Sequence, residues 1–260
     1  MTTKITTDNI LDGTIDAVDM KDLAITNAKL AGSIDVTSKL TGSVPTTNLP
    51  TIPVSKGGTG LTSLGSAGQA VKVNSGASAL EFGSAGGLVL VTSVTLSNVA
   101  SVSFTSIDST YETYVFMLNN VVPASDGVQL LMRTSTDGGS SFDSTSGDYD
   151  QRSASINNSG TFESTGSTSA DAMGLNQGGS NLGSASGESV SSVVYLFQPS
   201  NSSLFTTMSY TGIAIYNDGS ARTQFGSGGR MATESVDAVQ FLMSSGNLES
   251  GEINMYGVVK

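Results

Sequence analysis

Few side chains in these 260 residues are equipped for chemistry, since the sequence contains neither Cys nor His. Thiol nucleophiles, disulfides, zinc sites built on Cys or His, and Ser-His-Asp relays are thereby excluded. Carboxylates, hydroxyls, amides, Lys and Arg remain. The densest acidic cluster is Asp137, Asp143, Asp148 and Asp150. Loops of this composition supply oxygen ligands to hard cations. Two carboxyls about 5–10 Å apart also serve as the acid/base pair of a glycoside hydrolase. The spacing fits neither an EF-hand loop nor a glycine-rich calcium repeat, and the chain has no Trp to line a sugar-cleaving groove. A solvated acidic loop is therefore the default reading. No catalytic, cofactor-binding or metal-ligating residue is assigned, and the chain is read as a non-enzyme without a cofactor.

Three further motifs bear on function. The stretch STDGGSSF, Ser135 to Phe142, fits the Asp-box pattern Ser-x-Asp-x-Gly-x-Ser/Thr-aromatic. In that motif, expected as a hairpin, Asp137 accepts from backbone N–H groups of its turn and Phe142 folds back onto an apolar face. The role is structural. GGTG at 57–60 resembles the start of a phosphate-binding loop, since glycine-rich turns expose N–H groups to anions. It lacks the following Gly-Lys-Ser/Thr and any helix signal, which leaves a structural turn. Among the tyrosines, Tyr114 shares a strand face with Phe116 and is expected in a core, whereas Tyr111 can be exposed. Tyr149, Tyr195, Tyr210 and Tyr216 are candidates for stacking on sugars, with core packing favoured for most.

The elements that would position these residues fall into three segments. No Phe, Tyr or Trp precedes Phe82, while Lys4, Lys21, Lys29, Lys39, Lys56 and Lys72 precede residue 88 and all the arginines follow it. Both shifts coincide near 83–88, where GSAGG supplies a joint. Residues 1–53 carry a frame, Leu-x-Gly-Ser/Thr-Ile/Val, starting at Leu11, Leu30 and Leu40. A region without large rings cannot anchor a compact core, but small repeated apolar units pack against copies of themselves. An extended stem intertwined from three chains is expected there, ending at Pro45, Pro50 and Pro53. Residues 54–87 hold a hairpin expected around Asn74-Ser75-Gly76.

Residues 88–260 read as strands at Leu88–Leu96, Val99–Ile107, Thr113–Val122, Val128–Ser135, Gln151–Ile156, Ser189–Pro199, Thr206–Tyr216, Gln224–Met231, Val236–Met243 and Glu252–Val259. With 31 Gly and only 13% charged residues, this pattern predicts an all-β head, a two-sheet sandwich of jelly-roll type. The stretch from Asn157 to Gly187 is nearly devoid of large apolar residues and is expected to be a long exposed loop. A net charge of −11 disfavours nucleic acid and anionic membranes. No run approaches the roughly 18 apolar residues of a spanning helix, and MTTKITTDN lacks the apolar centre of a signal peptide. Synthesis in a cytoplasm is expected.

Residues Lys56 to Gly83, KGGTGLTSLGSAGQAVKVNSGASALEFG, resemble a module of tail-fibre and related virion proteins of tailed bacteriophages. The frames ITNAKLAGSI and VTSKLTGSV look like shaft repeats of the same proteins, and the ending SGEINMYGVVK resembles a closing strand of their heads. Residues 140–190 match nothing recognisable. The resemblance implies a homotrimer in the virion, anchored by its N-terminal segment to a tail, neck or capsid protein. Its head would face a glycan or protein of the host surface. A capsid-attached spike or decoration protein built from the same modules is the alternative, and a carbohydrate-cleaving head a third.

Overall fold

A computed structural model describes residues 58–61, 63–66, 69–84, 86–176 and 182–259. The shaft frames of residues 1–53 lie outside these residues, as does Gly57 of the GGTG turn. Every strand among the described residues belongs to the unit Ser63–Lys260.

Asn74 closes the first hairpin, as its position between two short alternating runs leads one to expect. Its side-chain oxygen accepts from the N–H groups of Ser78 (2.9 Å) and Ala79 (3.3 Å). This Asx-type bonding turns the chain between β1 (Gln69–Val73) and β2 (Leu80–Ser84), which form a two-stranded sheet of their own.

The remaining strands build a sandwich. They are β3 (Leu88–Val99), β4 (Ser101–Phe104), β5 (Thr113–Pro123), β6 (Leu130–Ser135), β7 (Tyr149–Ile156), β8 (Phe162–Ala170), β9 (Met173–Gly174), β10 (Val190–Phe197), β11 (Thr207–Ile215), β12 (Ala221–Arg230), β13 (Ala238–Met243) and β14 (Leu248–Val258). Eight form one sheet in the order β3-β14-β5-β10-β11-β12-β7-β8, and four form the other in the order β4-β13-β6-β9. All these pairings are antiparallel. The described residues contain no helix.

Period-two alternation decides which side chains enter the core. In β5, Tyr114, Phe116 and Leu118 point inward and are buried; in β10, Val190, Val194 and Leu196 do so; in β13, Val239, Phe241 and Met243. The sheets meet at three rings packed edge to face. Phe104 lies 5.4 Å from Phe116 and 6.0 Å from Phe241, and Phe116 lies 5.2 Å from Phe241. Each such pair adds about 0.5–1.5 kcal/mol beyond area burial.

Two expectations need correction. The strand expected at Val99–Ile107 is divided: Val99 ends β3 in the large sheet, and after Ala100 the chain enters the small sheet as β4. Asn98, at φ 50°, takes the left-handed conformation that Asn tolerates better than most residues, next to this corner. The larger correction concerns Asn157 to Gly187, expected as an exposed loop. Phe162–Ala170 is instead the edge strand of the large sheet, paired along β7. The chain then crosses to the small sheet, burying Ala172, Met173 and Leu175, and Leu182 bridges Val128 and Tyr216. An edge strand flanked by water on both faces needs no apolar alternation, so Ser, Thr and Gly suffice there.

Candidate functional site

The acidic cluster disperses in the fold. Asp137 accepts from the Ser141 N–H (2.9 Å) and Ser141 Oγ–H (2.6 Å), and from Ser135 Oγ–H at 2.8 Å. The hydrogen bond from the Ser141 hydroxyl, then that from its N–H, hold its pKa down to about 2. The Asp-box turn therefore forms as expected, with Phe142 half-buried. It is not a hairpin, however, because it carries the chain from β6 in the small sheet to β7 in the large one. Asp143 accepts from Arg230 Nε at 2.5 Å and from Thr134 Oγ1–H at 3.1 Å. Asp148 accepts from the Thr145 N–H at 2.6 Å, and Asp150 pairs with Arg152 at 2.6 Å. The four carboxylates thus share no partner with one another. Among the described residues no three acidic side chains converge as a cation site.

The tyrosines divide unevenly. Tyr114, Tyr149, Tyr210 and Tyr216 are all buried, so core packing, the reading favoured for most of the candidate sugar platforms, holds for Tyr149, Tyr210 and Tyr216. Burial is the main cause that raises the pKa of Tyr114 and Tyr149 to about 12 each, and it pushes Tyr210 up as well. Tyr149 donates to the Asp143 carbonyl at 3.2 Å while its oxygen accepts from the Thr134 N–H at 2.8 Å, tying the two sheets together. Tyr111 is half-buried, edge-on to Tyr114 at 5.6 Å. Tyr195 is the exception. It is 39% exposed and stacks on Phe197 at 6.1 Å and 6°.

Tyr195 belongs to the outward face of the large sheet, and the register carries that face toward the β8 edge. One cross-strand row runs Tyr195, Ser209, Ser227, Arg152, Gly166; its neighbour runs Val193, Thr211, Phe225, Ala154, Ser164. Where small residues occupy these rows, the surface sinks. A depression of about 630 Å³ lies over β12, β7 and β8, among Arg152, Ala154, Phe162, Ser164, Phe225 and Ser227. A second, of about 320 Å³, shares Arg152 and Ser227 and extends to Asp150, Phe205 and Met231.

The walls are set by local packing. Phe162 (59% exposed) and Phe225 (37% exposed) face each other with centroids 6.2 Å apart, above the buried Ala154. Arg152 lies flat across Gly166, where a Cβ would come within 2.4 Å of its Cδ. Its Nη1 donates to Asp150 (2.6 Å) and to the carbonyls of Gln151 (2.6 Å) and Ser167 (3.2 Å). Beneath, Gly226 leaves room for the Tyr210 ring, whose Cε1 would sit 2.5 Å from a Cβ at that position. Sequence reasoning named Tyr195 on this face but missed Arg152, Phe162 and Phe225. The alternation Thr223, Phe225, Ser227 was available as a signal; Phe162 was hidden in the stretch read as a loop.

The arrangement offers exposed rings, hydroxyls and one compensated ion pair on a rigid sheet, which is chemistry for holding a ligand. Comparison with protein-family models, with curated proteins and with solved structures finds no match to this chain.

Proposed function

We propose that this chain is a structural protein of a tailed-bacteriophage virion, a short trimeric fibre whose β-sandwich head attaches to the host surface. Residues 1–53 join three copies and dock on a tail, neck or capsid protein, and the head serves the host surface. The protein performs no catalysis and needs no cofactor. The observation that carries the attachment role is the outward face of the eight-stranded sheet, where Phe162, Phe225, Tyr195 and Phe197 remain 37–59% exposed on a rigid support. Exposed rings gathered in pairs on one face are the kind of apolar surface that marks interaction sites. The shaft-like frames and the KGGTG module support the fibre part. Several heads on one particle multiply weak contacts, so no single head has to bind tightly.

Light scattering of the full chain and of a truncated chain beginning at Leu88 tests the assembly. Three monomer masses for the full chain support the fibre; a monomer for both favours the capsid-decoration alternative. Binding of fluorescently labelled full-length protein to a panel of bacterial cells tests attachment, and failure on every cell type opposes it.

A further inference from the structure

The two depressions on the outward face border each other at Arg152 and Ser227, and their polarity limits the ligand class. They follow β7 from Ala154 to Asp150, about 14 Å at the rise of a strand. Their volumes, about 630 and 320 Å³, lie within the range of small-ligand sites. Apolar rings stand at both ends, Phe162 and Phe225 at one and Phe205 at the other. Between them lie hydroxyls from Ser164, Ser227 and Thr207 and the Arg152–Asp150 pair.

We propose that this groove binds a neutral, hydroxyl-rich oligosaccharide laid along β7. The inference rests on the attachment reading above and adds the ligand class and the residues that recognise it. A pyranose ring presents an apolar C–H face, which packs on Phe162 and Phe225, and a rim of hydroxyls that both donate and accept. Arg152 and Asp150 supply donors and acceptors side by side, matching adjacent hydroxyls. A carboxylated sugar gains little here. The guanidinium charge is already compensated by Asp150 at 2.6 Å, and the chain as a whole carries −11. A lipid tail or an apolar peptide would leave the central ion pair desolvated without a partner, which is costly.

The test uses the full chain. Isothermal titration with neutral hexaoses of glucose, galactose and N-acetylglucosamine is compared with oligogalacturonate as the charged control. Binding of at least one neutral hexaose is expected, with Phe225→Ala and Arg152→Ala each weakening it about tenfold. Circular dichroism checks that both variants are folded, and Phe162→Ser replaces Phe225→Ala if that variant is not. Preference for oligogalacturonate, no neutral binding, or affinity unchanged in folded variants overturns the proposal. Cell binding separates it from the broader reading. Attachment that survives periodate oxidation of surface sugars but not protease treatment keeps the adhesin and removes the saccharide, whereas no attachment to untreated cells removes the adhesin itself.

Discussion

The two halves of the eight-stranded sheet are built on different principles. The half made of β3, β14, β5 and β10 is held mainly by apolar side chains, with Phe116, Leu118, Leu196, Ile253 and Met255 buried against the small sheet. The half made of β11, β12, β7 and β8 places polar groups inside. Gln224 donates to Tyr216 at 3.0 Å. Arg222 pairs with Glu163 at 2.6 Å and lies 4.4 Å over the Tyr216 ring. Arg230, 7% exposed, pairs with Asp143 and Glu234. Glycines lie among these groups, and the groove opens on the outward side of this half. Packing energy is concentrated on one side, and directional bonds and surface relief on the other. A continuous sheet need not be energetically uniform: the part free of tight apolar packing is the part able to carry a shaped surface.

The comparison is broken most severely by removing residues 160–185. Such a deletion takes away the edge strand and the buried Met173, Leu175 and Leu182 together. The expected outcome is loss of the cooperative unfolding transition, followed by calorimetry; a deletion variant with its transition intact would return this stretch to the surface. Next in size is Phe116→Ala, which removes the shared partner of Phe104 and Phe241. It should cost about 3–5 kcal/mol in denaturant unfolding. Arg230→Met in the polar half should cost less, about 2–3 kcal/mol, since it removes charge-assisted hydrogen bonds whose partners keep some contact with water. If the Arg230 variant proves the worse of the two, the contrast between the halves is wrong.

The smallest effect appears only in alkali and samples both halves. Tyr114 and Tyr149 have pKa values raised to about 12, chiefly by burial, against about 10 in an unfolded chain. Their contribution is fully present below pH 10. Above it the unfolded chain ionises while the folded one does not, so stability falls as pH rises through about 12. Ultraviolet titration should show both phenols ionising with unfolding. Tyr149→Phe should also remove the bond between the sheets, a loss visible at neutral pH, whereas Tyr114→Phe leaves the two sheets joined.

Legibility in the sequence follows the same division. Strands of the apolar half announce themselves through alternation, as in Thr113–Val122, where the shared face of Tyr114 and Phe116 points to the core they do occupy. The polar half is harder, because its signals are chemical rather than periodic. Phe162–Ala170 reads as a loop since Ser, Thr and Gly serve equally in edge strands and in turns. Core packing is the favoured reading for most of Tyr149, Tyr195, Tyr210 and Tyr216, but the sequence does not say which one stays outside; Thr134, Gly226 and Gln224 make room or partners for the three inside. The groove is illegible for a further reason. Arg152, Phe162 and Phe225 become neighbours only through the register of three strands, which no local stretch encodes.

The polar edge strand has a consequence for crowded surroundings. Among the described residues the outer edge of this nine-residue strand has no neighbouring strand, and such an edge exposes backbone groups that template pairing with another molecule. Beyond Phe162, β8 offers Glu163, Ser164, Thr165, Gly166 and Ser167, so two such edges brought together would exclude almost no water from apolar surface. The same composition that hid the strand in the sequence thus works against aggregation wherever many copies are held close together.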